Sequence, residues 1–110
     1  MKDKIKKYLF DIDEAIASIN EYLDDQRDFS IYQKDKKLRR AVEREFEIIG
    51  EAISRILHND ENIKITNARK IVDLRNFVIH GYDRVDDAII WGIIVKDLPK
   101  LKKEIKGLLQ

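Results

Sequence analysis

Residues 38–57 read LRRAVEREFEIIGEAISRIL. Leu38, Val42, Phe46, Ile49, Ile53 and Ile56/Leu57 recur at steps of three and four, which places them on one stripe of a helix. Arg39, Arg40, Glu43, Arg44 and Glu47 occupy the other side, where opposite charges three and four apart can pair in water. The pattern predicts a helix from about Ile31 or Asp35 to Leu57. An amphipathic helix must bury its stripe, so the remaining chain has to supply partners for it.

It does so in the same idiom. Ile5, Tyr8, Leu9, Ile12, Ile16, Ile19 and Leu23 give a first helix of about residues 3–24, followed by a polar, aperiodic loop over 24–30. The run 58–62, HNDEN, ends the second helix, and His58 has no neighbours that suggest more than this. Thr66 or Asn67 is the natural N-cap of a third helix reaching about His80, with Ile71, Leu74 and Phe77/Val78 inward and Gly81 as its stop. Asp83 or Asp86 can cap a fourth, whose inward set is Val85, Ala88/Ile89, Ile93, Leu98, Leu101, Ile105 and Leu108. Pro99 removes a backbone donor there and predicts a kink or break near Asp97–Leu98. With 4 Gly and 1 Pro in 110 residues and no alternating runs, strands are not expected. The reading is an all-α, up-and-down four-helix bundle forming one domain over residues 1–110.

Composition narrows the chemistry. The 22 Lys+Arg and 21 Asp+Glu leave a net charge of +1, so bulk charge does not coat nucleic acid. The absence of cysteine excludes disulfides, a thiol nucleophile and Cys-ligated metal. No cofactor and no metal are expected. No stretch approaches about 18 consecutive apolar residues and no signal-like segment opens the chain, which points to a soluble, cytoplasmic protein with no membrane role. A chain this small with 44% hydrophobic residues is expected to hide a further face in an oligomer.

Most of the sequence is helix packing and is silent on activity. The exception is Arg75-Asn76-Phe77-Val78-Ile79-His80-Gly81-Tyr82, where a guanidinium, an amide, an imidazole and a phenol crowd one helix end. Asn76 and His80 are four apart and share a face, with Arg75 one step round. Arg can clamp an anion in bidentate fashion and His can move protons near neutral pH, a combination suited to a phosphodiester.

On these residues the sequence resembles the HepT-like family of the HEPN superfamily. The signature is Arg, four residues, His, one residue, Tyr, here Arg75, His80 and Tyr82, with Asn76 after the Arg. The likeness extends to Asp11-Ile12 and Ala15-Ile16, to 41–44 (AVER), to 48–52 (IIGEA), to Trp91, and to 97–101 (DLPKL). Where the family often approaches its third helix with a Pro-x-x-Pro-Trp-like segment, this chain has IKITNA at 63–68.

The resemblance implies a homodimer in which two copies of the cluster line one cleft. It also implies a metal-independent endoribonuclease toxin paired with a minimal nucleotidyltransferase (MNT-type) antitoxin. His80 would take the proton from a ribose 2′-hydroxyl, Arg75 would hold the phosphate, and Asn76 would orient His80 or the substrate. Tyr82 would be the hydroxyl that the antitoxin modifies with AMP. An alternative is a non-catalytic helical adaptor that serves as the nucleotidyltransferase's substrate.

Plainer roles exist for each group. His80 can cap a helix, Arg75 can pair with Asp73, Asp83 or Glu51, and Tyr82 can be a half-buried aromatic. Trp91 and Phe46 are expected to pack. The Lys34–Arg40 run reads as a solvated face interrupted by Asp35. Glu43, Glu47 and Glu51 recur every four residues, but without a Glu-x-x-His partner they read as salt-paired with nearby arginines and not as a di-iron site.

Overall fold

A computed structural model of the chain describes residues 3–24, 27–73 and 87–110. Among them there are helices and turns and no strand. The elements are α1 (Asp3–Leu23), α2 (Phe29–Lys34), α3 (Lys36–Asn59), a helical stretch α4 at 68–73, α5 (Asp87–Gly92), a π-helical turn (Ile93–Asp97) and α6 (Leu98–Leu109). The all-α reading therefore holds. The later part of the third predicted helix, Gly81, and the proposed caps Asp83 and Asp86 lie outside the described residues.

The long helices follow their apolar stripes. In α1 the side chains of Ile5, Leu9, Ile12, Ile16, Ile19 and Leu23 are buried, and Tyr8 is half-buried. They meet Val42, Phe46, Ile49, Ile53 and Ile56 of α3, the most extensive helix pair described. Burying a Leu, Ile or Phe side chain contributes roughly 1.5–3 kcal/mol, so this seam supplies much of the stability. Leu98, Leu101 and Ile105 of α6 close over α1, and all the buried apolar side chains form one cluster.

The structure refines the predicted elements in three places. The second predicted helix starts at the later of its two candidate positions, Asp35, and a separate short helix, α2, precedes it. Asp35 leaves helical geometry (φ −99°, ψ 95°), ends α2 and caps α3, its carboxylate accepting from the Leu38 N–H at 3.0 Å. Asp28 likewise caps α2 through the Ser30 N–H at 2.8 Å, so Phe29 and Ser30 belong to a helix and not to the loop. Each break falls at an Asp because a short carboxylate can satisfy the free N–H groups of a new helix.

Second, the kink or break expected near Asp97–Leu98 takes the form of a π-helical turn, Ile93–Asp97, that ends where α6 begins at Leu98. Asp97 (φ −94°, ψ −36°) and Leu98 (φ −62°, ψ −41°) both stay helical, and Pro99 sits in the first turn of α6. The adjustment occurs one turn earlier, where the Leu98 N–H bonds Ile93 O, five residues back. A widened turn of this kind accommodates the donor that proline lacks.

Third, the rotation of α5 differs from the reading. Ala88 and Ile89 are exposed, and Ile90, Ile93 and Ile94 are buried. Trp91 sets this rotation by packing against Tyr32 (centroids 5.3 Å) and Phe29 (6.0 Å) of α2. Phe46 is fully buried and Trp91 half-buried, as expected for packing residues.

Candidate functional site

Arg75, Asn76, His80 and Tyr82 all lie within 74–86, outside the described residues. The structure does define what holds the chain on either side of them. On the entry side, α4 begins after Asn67, whose backbone takes the left-handed conformation (φ 61°), one that Asn tolerates better than most residues. Its carbonyl accepts from the Ile71 N–H at 3.1 Å, which starts the helix. Ile71 and Val72 then enter the core.

Neither predicted cap uses its side chain locally. The Thr66 hydroxyl donates to Glu104 (2.7 Å), and the Thr66 backbone N–H points at the same carboxylate (3.2 Å). The Asn67 amide donates to Asp97 (3.2 Å), which also receives the Lys70 ammonium at 3.1 Å. The start of α4 is thus fastened to the π-helical turn and α6 by polar contacts. Sequence spacing gives no hint of them, because the partners are 27–38 positions apart.

On the exit side, Asp87 opens α5 with its carboxylate largely buried and 4.0 Å from the Arg39 guanidinium. Arg39 also donates to the Gln33 carbonyl, bridging α2 to α3. Glu43, one helical turn beyond Arg39, has its carboxyl pushed above the usual range, first by burial and then by Asp87, against the pull of Arg39 and Arg40. Tyr32 completes the group. It is 1% exposed, and its hydroxyl has no hydrogen-bond partner among the described residues. Burial, with Glu43 and Asp87 nearby, drives its pKa strongly upward and keeps it a neutral phenol. This cluster was not read from the sequence; the Arg39–Glu43 spacing was its single visible trace.

Glu47 and Glu51 pair as expected, with Arg44 at 2.8 Å and Arg55 at 2.9 Å. A second polar contact missed by the reading is Tyr22 Oη donating to buried Glu45 at 2.8 Å, which raises the phenol pKa. His58 is exposed in the last turn of α3. No described helix is long and apolar enough to cross a membrane.

Comparison with known proteins settles the family. The model of the family described as ribonuclease HepT-like matches residues 12–108. The chain belongs to this ribonuclease HepT-like family. Among its HepT-like relatives, a Methanocaldococcus jannaschii protein named a putative RNase is 39% identical over 107 residues, covering 96% of both chains. A Thermococcus cleftensis protein named probable ribonuclease HepT is 36% identical, covering 98% of each. A second M. jannaschii relative, named gamma-glutamylcyclotransferase and putative RNase, is 34% identical, and the HepT-like chain spans 50% of its length. No solved structure matches the chain. The match to residues 12–108 includes the Arg75–Tyr82 octet and both of its described flanks.

Proposed function

We propose that this chain is an endoribonuclease that cleaves RNA without a metal. The observation that carries the reading is the octet itself: Arg75, His80 and Tyr82 keep the family spacing, with Asn76 in place, inside the matched stretch. His80 removes the proton from the 2′-hydroxyl, whose oxygen attacks the adjacent phosphorus while the 5′-oxygen leaves and is protonated. The bond broken is P–O5′ and the bond formed is P–O2′, so the strand ends in a cyclic phosphate. Arg75 binds the phosphate oxygens as charge builds on them, and Asn76 orients His80 or the substrate. The nucleophile exists in RNA and not in DNA, which sets the substrate class.

In this reading the protein is a cytoplasmic toxin. Two copies of a four-helix bundle dimerise so that both octets line one cleft, the partner's His80 protonating the leaving oxygen. An MNT-type nucleotidyltransferase antitoxin silences it by placing AMP on Tyr82, which fills the cleft and occupies Arg75.

His80→Ala tests the chemistry. RNA cleavage should fall by about 10²–10⁴ with circular dichroism and sedimentation unchanged, the range that general acid–base catalysis supplies. Cleavage at the wild-type rate would remove His80 from the mechanism. For the modification, incubation with the nucleotidyltransferase and ATP should add one AMP by intact mass, and Tyr82→Phe should block the gain.

A further inference from the structure

The α2–α3 junction gathers a dense run of cationic side chains in the described structure. Between residues 34 and 40 the chain places Lys34, Lys36, Lys37, Arg39 and Arg40 against a single carboxylate, Asp35. In the sequence, Asp35 looks like an interruption of a basic run. In the structure it is the hinge between two helices, its oxygen turned to the Leu38 N–H. Asp28, the acid next along α2, is turned in the same way to Ser30, with bonds from the backbone N–H (2.8 Å) and the hydroxyl (2.7 Å). Lys34, Lys36, Lys37 and Arg40 are exposed, and none of them enters an ion pair among the described residues.

At the start of α3 the N-cap Asp35 supplies a carboxylate and the first turn adds none. Helix N-termini carry partial positive charge and favour Asp or Glu in the first turn, yet the 24-residue α3 opens with Lys36 and Lys37 and has no acid there. Lys34 stands across the break from them. Arg39, in contrast, is engaged: it faces Asp87, the seventh residue after His80. The basic junction is therefore tied directly to the chain that leaves the octet.

We infer that the α2–α3 junction is a phosphate-binding track that holds the backbone of a single-stranded RNA through Lys34, Lys36, Lys37 and Arg40. This deepens, and rests on, the ribonuclease reading, because the occupant is the substrate of that reaction. Charge complementarity identifies it. A polyanion repays both the crowded cations and the misplaced lysines of α3, and contacts of this kind carry affinity without sequence preference. A chain with a net charge of only +1 thus binds RNA through local charge.

The test uses the full chain and a fluorescent 2′-O-methyl RNA oligonucleotide, which binds without being cut. Anisotropy titrations over a salt series give the slope of log K against log[salt], which steepens by about 0.7 per phosphate contact for single strands. Replacing three contacts in K34Q/K36Q/K37Q should flatten the slope by about 2, with the melting temperature unchanged or raised. The control K100Q/K103Q/K106Q, on the exposed side of α6, should leave it within about half a contact's worth, roughly 0.35. An unchanged slope in the first variant, an equal loss in the control, or no binding by the wild type would each overturn the track. Cleavage of unmodified RNA is measured separately. A flattened slope in a protein that never cuts RNA would sink the ribonuclease reading and leave the track standing.

Discussion

Tyr32 shows how much a single buried atom can matter. Its ring packs on Trp91, and its hydroxyl is sealed from water with no partner among the described residues. An unsatisfied buried hydroxyl costs about 1–3 kcal/mol, so Tyr32→Phe should stabilise the fold by about 1 kcal/mol. The measurement is a urea midpoint that rises at constant slope; a fall would mean that the hydroxyl has a partner in the folded protein. No pattern in the sequence singles out this tyrosine, because its burial depends on how α2 lies across α5. Glu45 was illegible for a similar reason: a glutamate on a charged helix reads as solvated unless the fold brings Tyr22 over it. The octet stands out at this scale by residue type and spacing alone, and its residues lie outside the described structure.

At the scale of elements, hydrophobic period was the reliable guide. The stripes of α1 and α3 are buried almost residue for residue, because burial is what makes a long helix amphipathic. Breaks were less legible. Asp35 was one of two candidate starts for the second helix and is the one the structure uses; the short α2 before it was not read, since an Asp within a helical pattern can cap or merely face water. Its role as a cap predicts that Asp35→Ala costs about 1 kcal/mol, read as a lower urea midpoint with little loss of helical circular dichroism. A change below about 0.3 kcal/mol would show that α3 starts without it. Pro99 was read as a kink or break near Asp97–Leu98, and the helix is irregular there, as a π-helical turn and not a full interruption. Proline removes one donor, and the preceding turn answers by widening before α6 continues.

For the whole molecule, what the sequence could not convey is which distant segments meet. The family and the all-helical fold follow from local pattern. The junction of α2, α3 and α5, and the fastening of α4 to the π-helical turn and α6, follow from the path of the chain. The second of these has a consequence for motion. The approach to the octet is secured at Asp97 and Glu104 by solvent-facing polar bonds, so it should open more readily than the α1–α3 seam. Removing one clasp with Asp97→Ala should speed amide hydrogen exchange in 68–73 while the slowest amides of α1 and α3 keep their rates. Uniform acceleration everywhere would count against a separate opening event. A segment 30 positions away from Asn67 would then act as a remote adjuster of how firmly α4, the approach to the octet, is seated.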